Sequence, residues 1–399
     1  MTEGRTSRAP STGVVRFQKP ALIVGVIGLA GSALGWLLDP QEFFRGYLTS
    51  YLFWFAIVAG SLAVLMLQYT TGGEWGLMIR RPLGAAARTM SWMAAFFIPV
   101  LLGLKSIYPW ANVDWARHDP IVSQKLGYLN WGRFLAFAVL YFVAWIGWAW
   151  RIRVLSLRFY EDRSPYTDLS RRRWAAAGLP MIVLTLTFAS IDWMMSIEPR
   201  WNSTMYGITF TVGCGLSSFA FVTFFLARLA RTPAMAGILK PSHLRDLGNM
   251  MLAFVMFYAY TAFSEFLLIW YANIHEEIPH FLIRERGVWG FLAALIVLFH
   301  FFLPFFMLLM RPIKDRPETI AVVTVIIIVM RYVAIYWLVA PSWYGDHFHY
   351  SIWNVTTLIG IGGVWLYAFI DQLKGQTIIP IHETWVEEAV REGALRVNA

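Results

Sequence analysis

The sequence predicts an all-α integral membrane protein that crosses a bilayer about ten times. Of its 399 residues, 58% are hydrophobic and 14% are charged, whereas soluble domains are about 45–50% apolar and about 25% charged. The apolar runs reach about 20 residues, the length that spans roughly 30 Å of hydrocarbon. Surface helices of a soluble protein would instead alternate apolar and polar faces, so a soluble fold is excluded.

The ends of the apolar runs define ten predicted spans. Prolines and interfacial Trp and Tyr residues mark most of these ends, as expected where a helix leaves the hydrocarbon. We expect spans 2–5 and 6–9 to form two four-helix bundles, with a cytoplasmic tail over 1–19, a transmembrane domain over 20–373 and a second cytoplasmic tail over 374–399. The predicted spans are 20–38, 47–69, 89–108, 132–152, 175–196, 205–228, 247–272, 288–310, 319–340 and 350–373.

The distribution of positive charge sets the orientation and excludes nucleic acid as a partner. With both termini in the cytoplasm, that side carries 24 of the 33 Lys and Arg residues, seven of them in the segment 151–173. This bias follows the positive-inside rule and explains the net charge of +9 without a nucleic-acid ligand. Because no signal-peptide cleavage pattern follows the basic N-terminus, we expect the first span to be retained. The amphipathic segment 376–399 is expected to be a surface helix or a partner contact.

The sequence carries no covalent redox centre. Its single cysteine, Cys214, excludes cysteine-ligated iron–sulfur clusters and covalent c-type haem attachment. A residue of this size between Gly213 and Gly215 favours close helix packing. Of the eight histidines only His300 lies deep in a span, so the paired axial ligands of a b-type haem are missing.

Four ionisable residues inside the spans are candidates for function, because such groups are costly in hydrocarbon and usually face the bundle interior. They are Asp192, Glu265, His300 and Arg331 on spans 5, 7, 8 and 9. We expect Asp192, Glu265 and Arg331 to form a proton-conducting or quinone-adjacent group. The alternative is that Glu265 and Arg331 form a structural ion pair.

Helical spacing adds polar neighbours to these residues. Tyr258, Thr261 and Glu265 are three and four residues apart and share one face of span 7. Thr185, Asp192 and Ser196 make a shorter polar stripe on span 5.

The histidine of span 8 lies beside a proline. Pro304 follows His300 by four residues and removes the helical donor to its carbonyl, which predicts a kink. We expect His300 to be either a proton relay or a hydrogen-bonded core residue.

The outer loop between spans 9 and 10 carries Asp346, His347 and His349. We interpret these residues as a contact with a partner subunit. A metal site is the alternative.

Several stretches of this sequence resemble one family. The matching segments lie from span 2 to span 9, and together they resemble the ActF subunits of bacterial alternative complex III, in the NrfD / polysulfide-reductase-C-like group of membrane anchors. They read TGGEWGLMIRRPLGAAART (71–89), IDWMMSIEPRWNSTMYG (191–207), DLGNMMLAFVMFYAYTAFSEFLLIWYANIHEEIPHF (246–281), LFHFFLPFFMLLMRPIK (298–314) and MRYVAIYWLVAP (330–341).

The resemblance implies a ten-helix subunit, built from two four-helix bundles and two peripheral helices, in a quinol:electron-acceptor oxidoreductase of the bacterial inner membrane. It implies no redox centre in this chain and a supporting role in quinol oxidation, with a quinone or quinol as the expected ligand and proton translocation as a further expected role. The implied partners are an ActC-like quinol-site subunit, subunits with haem c and iron–sulfur clusters, lipids, and a terminal oxidase or soluble electron carrier.

Two positions depart from the family pattern, and two other functions compete with this one. Glu265 stands where the family commonly has Gln, and Ala334 stands where it commonly has Asp.

A secondary transporter also fits ten spans with intramembrane charges, but it would usually show paired helix breaks in two halves. A purely structural scaffold would make every intramembrane charge a packing element.

Overall fold

The protein is all-α in the part described by the computed structural model, residues 14–231 and 239–374. The described residues contain no β-strand, and 86% of them are helical. Within these two ranges ten helices are long and apolar enough to span a membrane, so the protein is a multi-pass membrane protein. In chain order they are α1 (Gln18–Leu38), α2 (Pro40–Thr71), α3 (Glu74–Leu102), α4 (Trp131–Asp162), α5 (Pro165–Ile197), α6 (Met205–Ala230), α7 (Pro241–Ala272), α8 (Gly287–Leu309), α9 (Pro317–Tyr344) and α10 (Ile352–Leu373).

All ten predicted spans correspond to these helices, but several predicted ends are wrong, with the largest errors at the start of α3, the end of α4 and the start of α5. Helix α3 was expected to begin at residue 89, yet it begins at Glu74 with a 3₁₀ turn, directly after a turn at Gly72 and Gly73 with φ of 70° and 86°. The segment 151–173 was expected to be a loop, yet α4 continues to Asp162 and α5 begins at Pro165. Arginine side chains extend toward water while their stems cover apolar surface, so a helix continues beyond the run of apolar residues that predicts it.

Polar caps fix where several helices begin. The Asn130 side chain accepts a hydrogen bond from the Arg133 amide at 2.9 Å, at the start of α4. Ser164 caps α5 just before Pro165. Such caps satisfy amides that have no partner within the helix.

The helices form two four-helix bundles and a peripheral pair, as predicted. Helices α2, α3, α4 and α5 pack in one ring, and α6, α7, α8 and α9 pack in a second. The bundles join where α6 packs against α2 and α5, so most of α2 and α6 is buried. Helix α10 packs on α2 and carries α1 along its outer side.

Glycines allow the closest helix contacts. A Cβ atom at Gly363 of α10 would lie 2.5 Å from the Gly25 backbone of α1, which is inside van der Waals contact. A Cβ atom at Gly60 of α2 would overlap the Cys214 carbonyl of α6. Small residues thus bring backbones together in a membrane protein, and Cys214, itself fully buried, lies at the junction of the bundles.

Helices α7 and α8 expose a broad apolar face on the outside of the second bundle. Tyr260, Phe263 and Phe291 are each more than 60% exposed there. This surface faces lipid or a partner, because a bilayer takes the place of water around a multi-pass protein. Most of the predicted N-terminal tail and the predicted C-terminal surface helix or partner contact (376–399) lie outside the described residues.

Candidate functional site

A cavity of about 760 Å³ lies between α7, α8 and α9 of the second bundle. Its size falls within the roughly 300–1,000 Å³ of ordinary small-molecule sites. Its walls are largely apolar and include eight aromatic residues: Tyr258, Tyr260, Phe263, Phe266, Phe281, Phe301, Phe302 and Trp337.

The cavity opens sideways between α7 and α8. Tyr260 and Phe263 on α7 and Val297 on α8 line it, and all three are also more than half exposed on the outside of the bundle. An amphiphile dissolved in the bilayer therefore has a direct route from the hydrocarbon to the cavity.

Glu265 supplies the carboxylate of the cavity. It is 5% exposed, and its Oε1 atom has no hydrogen-bond partner. Tyr258 and Thr261 lie on the same face of α7, as predicted, but the Thr261 hydroxyl donates to the Tyr258 carbonyl at 3.0 Å and is occupied by its own helix.

His300 faces the same cavity from α8. Its ring is 2% exposed, packs edge-to-face on the Tyr258 ring at 4.8 Å, and leaves Nε2 without a partner. A segment of π-helix over Val297–Phe302 contains His300 and ends just before Pro304. The predicted disruption is therefore a local widening of the helix, in which the Leu303 amide bonds to the Leu298 carbonyl, and segments of this kind are frequent at functional sites.

Arg331 lies behind Tyr258 and does not line the cavity. Its guanidinium is fully buried, with Cζ 4.6 Å from the Tyr258 ring centroid and Nε donating to the Ser217 hydroxyl at 3.3 Å. The absence of a side chain at Gly213 makes room for it. The alternative of an ion pair between Glu265 and Arg331 is not realised, since the guanidinium contacts a ring and a hydroxyl.

The structure places Asp192 in the other bundle, apart from Glu265 and Arg331. Tyr128 and Tyr141 each donate a hydrogen bond of 2.7 Å to one of its carboxylate oxygens. The structure therefore does not bring Asp192 together with Glu265 and Arg331, because helix register gives the height of a residue along its span but not the bundle that it faces.

The remaining residues of the predicted stripe on α5 are also satisfied within the first bundle. Ser196 donates to the Asp192 carbonyl at 2.6 Å, and Thr185 accepts from Trp145 at 2.8 Å.

One polar cluster next to the cavity was missed by the sequence reasoning. Nδ1 of His280, which lines the cavity, lies 2.8 Å from Glu198 Oε2. The Ser342 hydroxyl donates to the same oxygen at 3.1 Å, and the fully buried Arg284 guanidinium lies 3.5 Å from it. The Trp201 ring stacks on His280 at 3.6 Å. We call Glu198, His280, Arg284 and Ser342 the loop cluster.

This packing, which lies outside the spans, lowers two pKa values. Burial raises the pKa of Glu198, but the hydrogen bond from His280, the Arg284 charge and the Ser342 hydroxyl outweigh burial and lower it to about 2. Burial and the nearby Arg284 charge lower the pKa of His280 to about 4. The cluster therefore contains an ionised carboxylate, a neutral imidazole and a buried cation at neutral pH.

The sequence held one signal for the loop cluster. His280 and Arg284 are four residues apart on a short helix, Ile278–Arg284, that begins with a proline at its second position. This spacing places both side chains on one face, while Glu198 comes just after the end of α5.

Two residues between α9 and α10 contact other residues of this chain. His349 Nε2 lies 3.1 Å from Glu42 Oε2, and the His347 amide closes a turn on the Tyr344 carbonyl. Within residues 14–231 and 239–374, no three His, Cys, Asp or Glu side chains are grouped as metal ligands.

Thr209 contributes a third buried polar atom to the lining of the cavity. The Thr209 hydroxyl of α6 lines it and, like Glu265 Oε1 and His300 Nε2, is buried without a partner. Buried polar atoms are nearly always hydrogen-bonded in native proteins, so three such atoms in residues that line one cavity leave bonding capacity for a polar ligand or water. Comparison of the sequence with protein-family models and with curated proteins gave no match.

Proposed function

We propose that this chain is a membrane subunit of a quinol:electron-acceptor oxidoreductase of the alternative complex III type, and that the cavity between α7, α8 and α9 takes a quinone or quinol. The observation that carries the proposal is the cavity itself. It combines aromatic walls and a sideways opening with three unpartnered polar atoms, which suits a flat apolar ring with two oxygens.

The departures from the family pattern support the same site. Glu265 and Ala334 both line this cavity. The acidic group that the resemblance leads us to expect on α9 is missing, and a carboxylate stands across the same space on α7. We infer that the buried acid of this cavity has moved from the α9 wall to the α7 wall.

The proposed chemistry divides between this chain and its partners. A bound quinol would supply two electrons and two protons on oxidation. In this proposal Glu265 would accept the proton of one quinol hydroxyl, and His300 would accept the proton of the other. The electrons would leave through haem c and iron–sulfur clusters in partner subunits, next to an ActC-like subunit, toward a terminal oxidase or soluble carrier.

The proposal includes the bacterial inner membrane with both termini in the cytoplasm. The bias of Lys and Arg toward the ends that join α2 to α3 and α4 to α5 supports this orientation. Because Cys214 is the single cysteine and is fully buried, introduced cysteines report on topology without background. A membrane-impermeant thiol reagent added to intact cells should label Asp114→Cys and spare Glu161→Cys, and the reverse pattern would invert the orientation.

Replacement of Glu265 in the assembled complex tests the proton role. We expect Glu265→Gln to lower quinol turnover and proton release by roughly 10²-fold or more, the usual contribution of a positioned acid or base. Glu285→Gln is the matched control, because Glu285 also lines the cavity but is exposed. Unchanged turnover and proton release in Glu265→Gln would refute the role.

Filling the cavity tests ligand binding separately. Ala262→Trp adds a ring on the cavity wall without changing a polar group. We expect the purified complex of this variant to retain less quinone, while Glu265→Gln retains the wild-type amount. Equal quinone content in Ala262→Trp and wild type would show that the quinone sits elsewhere in the complex.

A scaffold role is favoured for one residue only. Asp192 has both oxygens bonded by tyrosines, so we assign it to the packing of the first bundle rather than to proton transfer.

A further inference from the structure

Arg331 is a fully buried cation to which the described part of the chain supplies no anion. Its Nε donates to the Ser217 hydroxyl, its guanidinium packs on the Tyr258 ring, and its Nη1 has no hydrogen-bond partner. Arg284, which is buried to the same extent, has Glu198 Oε2 at 3.5 Å. An arginine keeps its charge when it is buried, and a buried charge is costly unless an opposite charge compensates it. The charge of Arg331 is therefore available to a ligand that binds nearby.

The charge of Arg331 acts at one part of the cavity between α7, α8 and α9. Cζ of Arg331 lies 4.6 Å from the centroid of the Tyr258 ring, and Tyr258 lines the cavity. The His300 ring, which also lines the cavity, packs on the same tyrosine at 4.8 Å. A ligand atom that packs on the face of the Tyr258 ring lies about 4 Å from it, and so within about 9 Å of the guanidinium carbon.

The buried acid of the cavity lies away from this cation. Tyr258 and Glu265 are seven residues apart on one face of α7, which corresponds to about two turns and a rise of about 10 Å. Among the described residues that line the cavity, the other acid is Glu285, which is exposed. The cavity therefore differs electrostatically along its length, with a permanent cation behind Tyr258 and a carboxylic acid two turns away. A flat ring with an oxygen at each end would be oriented by this difference.

We propose that the cavity binds the anionic form of a quinoid ring more tightly than the neutral form, and that Arg331 sets this preference. The inference rests on the function proposed for the cavity and names the form of the ligand that the site selects. The negative oxygen of the ring lies toward Tyr258, and the other oxygen lies toward Glu265. Arg331 does not line the cavity, so it determines specificity through its charge and not through contact with the ligand.

Two ligands that differ in charge test the proposal with the full chain in phosphatidylcholine nanodiscs. The probes are an alkyl hydroxynaphthoquinone, which is ionised at pH 7, and its neutral methoxy analogue, each titrated by calorimetry against filled and empty discs. A unit charge about 9 Å away, at an effective dielectric constant of about 20, favours the anion by at least roughly tenfold. We expect the wild type to bind the ionised probe more tightly than the methoxy analogue by this factor.

Variants at position 331 separate the charge from the packing. Arg331→Met should bind the ionised probe at least roughly tenfold more weakly than the wild type does, with unchanged affinity for the methoxy analogue. Arg331→Lys keeps the charge, so it should keep the preference for the ionised probe. If Arg331→Met loses affinity for both probes by the same factor, Arg331 only shapes the cavity and the proposal is overturned.

The comparison of the two probes on the wild type decides the question even if Arg331→Met does not fold. Equal affinity of the wild type for both probes overturns the proposal. Ala262→Trp, which fills the cavity, distinguishes this result from failure of the proposed function. If Ala262→Trp abolishes the binding of both probes, the cavity binds quinoid rings and only the role of Arg331 is refuted. If Ala262→Trp binds both probes like the wild type, the rings bind elsewhere and the proposed function of the cavity fails as well.

Discussion

The loop cluster offers a direct measure of what one buried charge contributes to this fold. In Glu198→Gln the side chain keeps an oxygen that can accept from Ser342 or His280, so the change removes mainly the negative charge. Arg284 is then left fully buried with neutral acceptors, the carbonyls of His280 and Leu338 at 2.7 Å. Removing one partner of a buried ion pair costs roughly 3–5 kcal/mol.

An exposed pair in the same chain provides the control. Asp315 accepts two hydrogen bonds from Arg245, at 2.7 and 2.9 Å. The two carboxylates are equally accessible, with 24% side-chain exposure for Glu198 and for Asp315, but the cations differ, with 1% for Arg284 and 29% for Arg245. Asp315→Asn leaves a cation that reaches water, so we expect a loss of about 0–1 kcal/mol.

Thermal unfolding in detergent at pH 7, followed by dye labelling of Cys214, compares the two variants. We expect a clear fall in the unfolding temperature for Glu198→Gln and little change for Asp315→Asn. An equal fall of the unfolding temperature in both variants, or no fall in Glu198→Gln, would refute the reasoning. It would show that burial of the cation does not set the free-energy cost of removing its carboxylate partner.

Three further predictions follow from the packing. The pKa of His280 is near 4 in the folded protein and near 6.5 when the chain is unfolded, so the unfolded state binds more protons between these pH values. The unfolding temperature should therefore fall as the pH drops from 6.5 to 4. The part of this fall that is due to His280 should be absent in His280→Gln. Gly363→Ala should destabilise the protein by about 1–3 kcal/mol through overpacking, whereas Gly31→Ala, whose new Cβ has its nearest neighbour at 4.0 Å, should be nearly neutral in the same dye assay. Tyr141→Phe should cost about 1–3 kcal/mol by leaving one Asp192 oxygen unpartnered, and equal stability in this variant and the wild type would contradict the assignment of Asp192 to packing.

The fold could be predicted from the sequence because hydrocarbon imposes a length on each apolar run. All ten helices, and their division into two bundles and a peripheral pair, were expected. The ends of α3, α4 and α5 were missed because Arg80 and Arg151 interrupt the apolar runs without ending the helices. The length of an apolar run reports the thickness of the hydrocarbon, and the helix that contains the run can continue beyond that thickness.

The candidate site was only partly accessible from the sequence. The cost of burying charge in hydrocarbon identified Glu265 and His300, which face the same cavity. The same rule could not assign Asp192 to the first bundle, since that depends on which helices are neighbours. The rule also did not identify Glu198 and His280. Charged residues in short connecting segments are usually solvated, and only the tertiary packing shows that these two side chains are buried.

The close contact between Gly60 and Cys214 bears on how this protein moves. At this contact the two backbones touch with no side chain between them that could repack. We therefore expect α2 and α6 to move together as one rigid pair of helices. A change of shape at the cavity must then come from the outer helices, and α8 has the π-helical segment at His300 where such a change costs least. We therefore expect any change of shape at the cavity to occur on the exposed side of the second bundle, where α8 carries its π-helical segment.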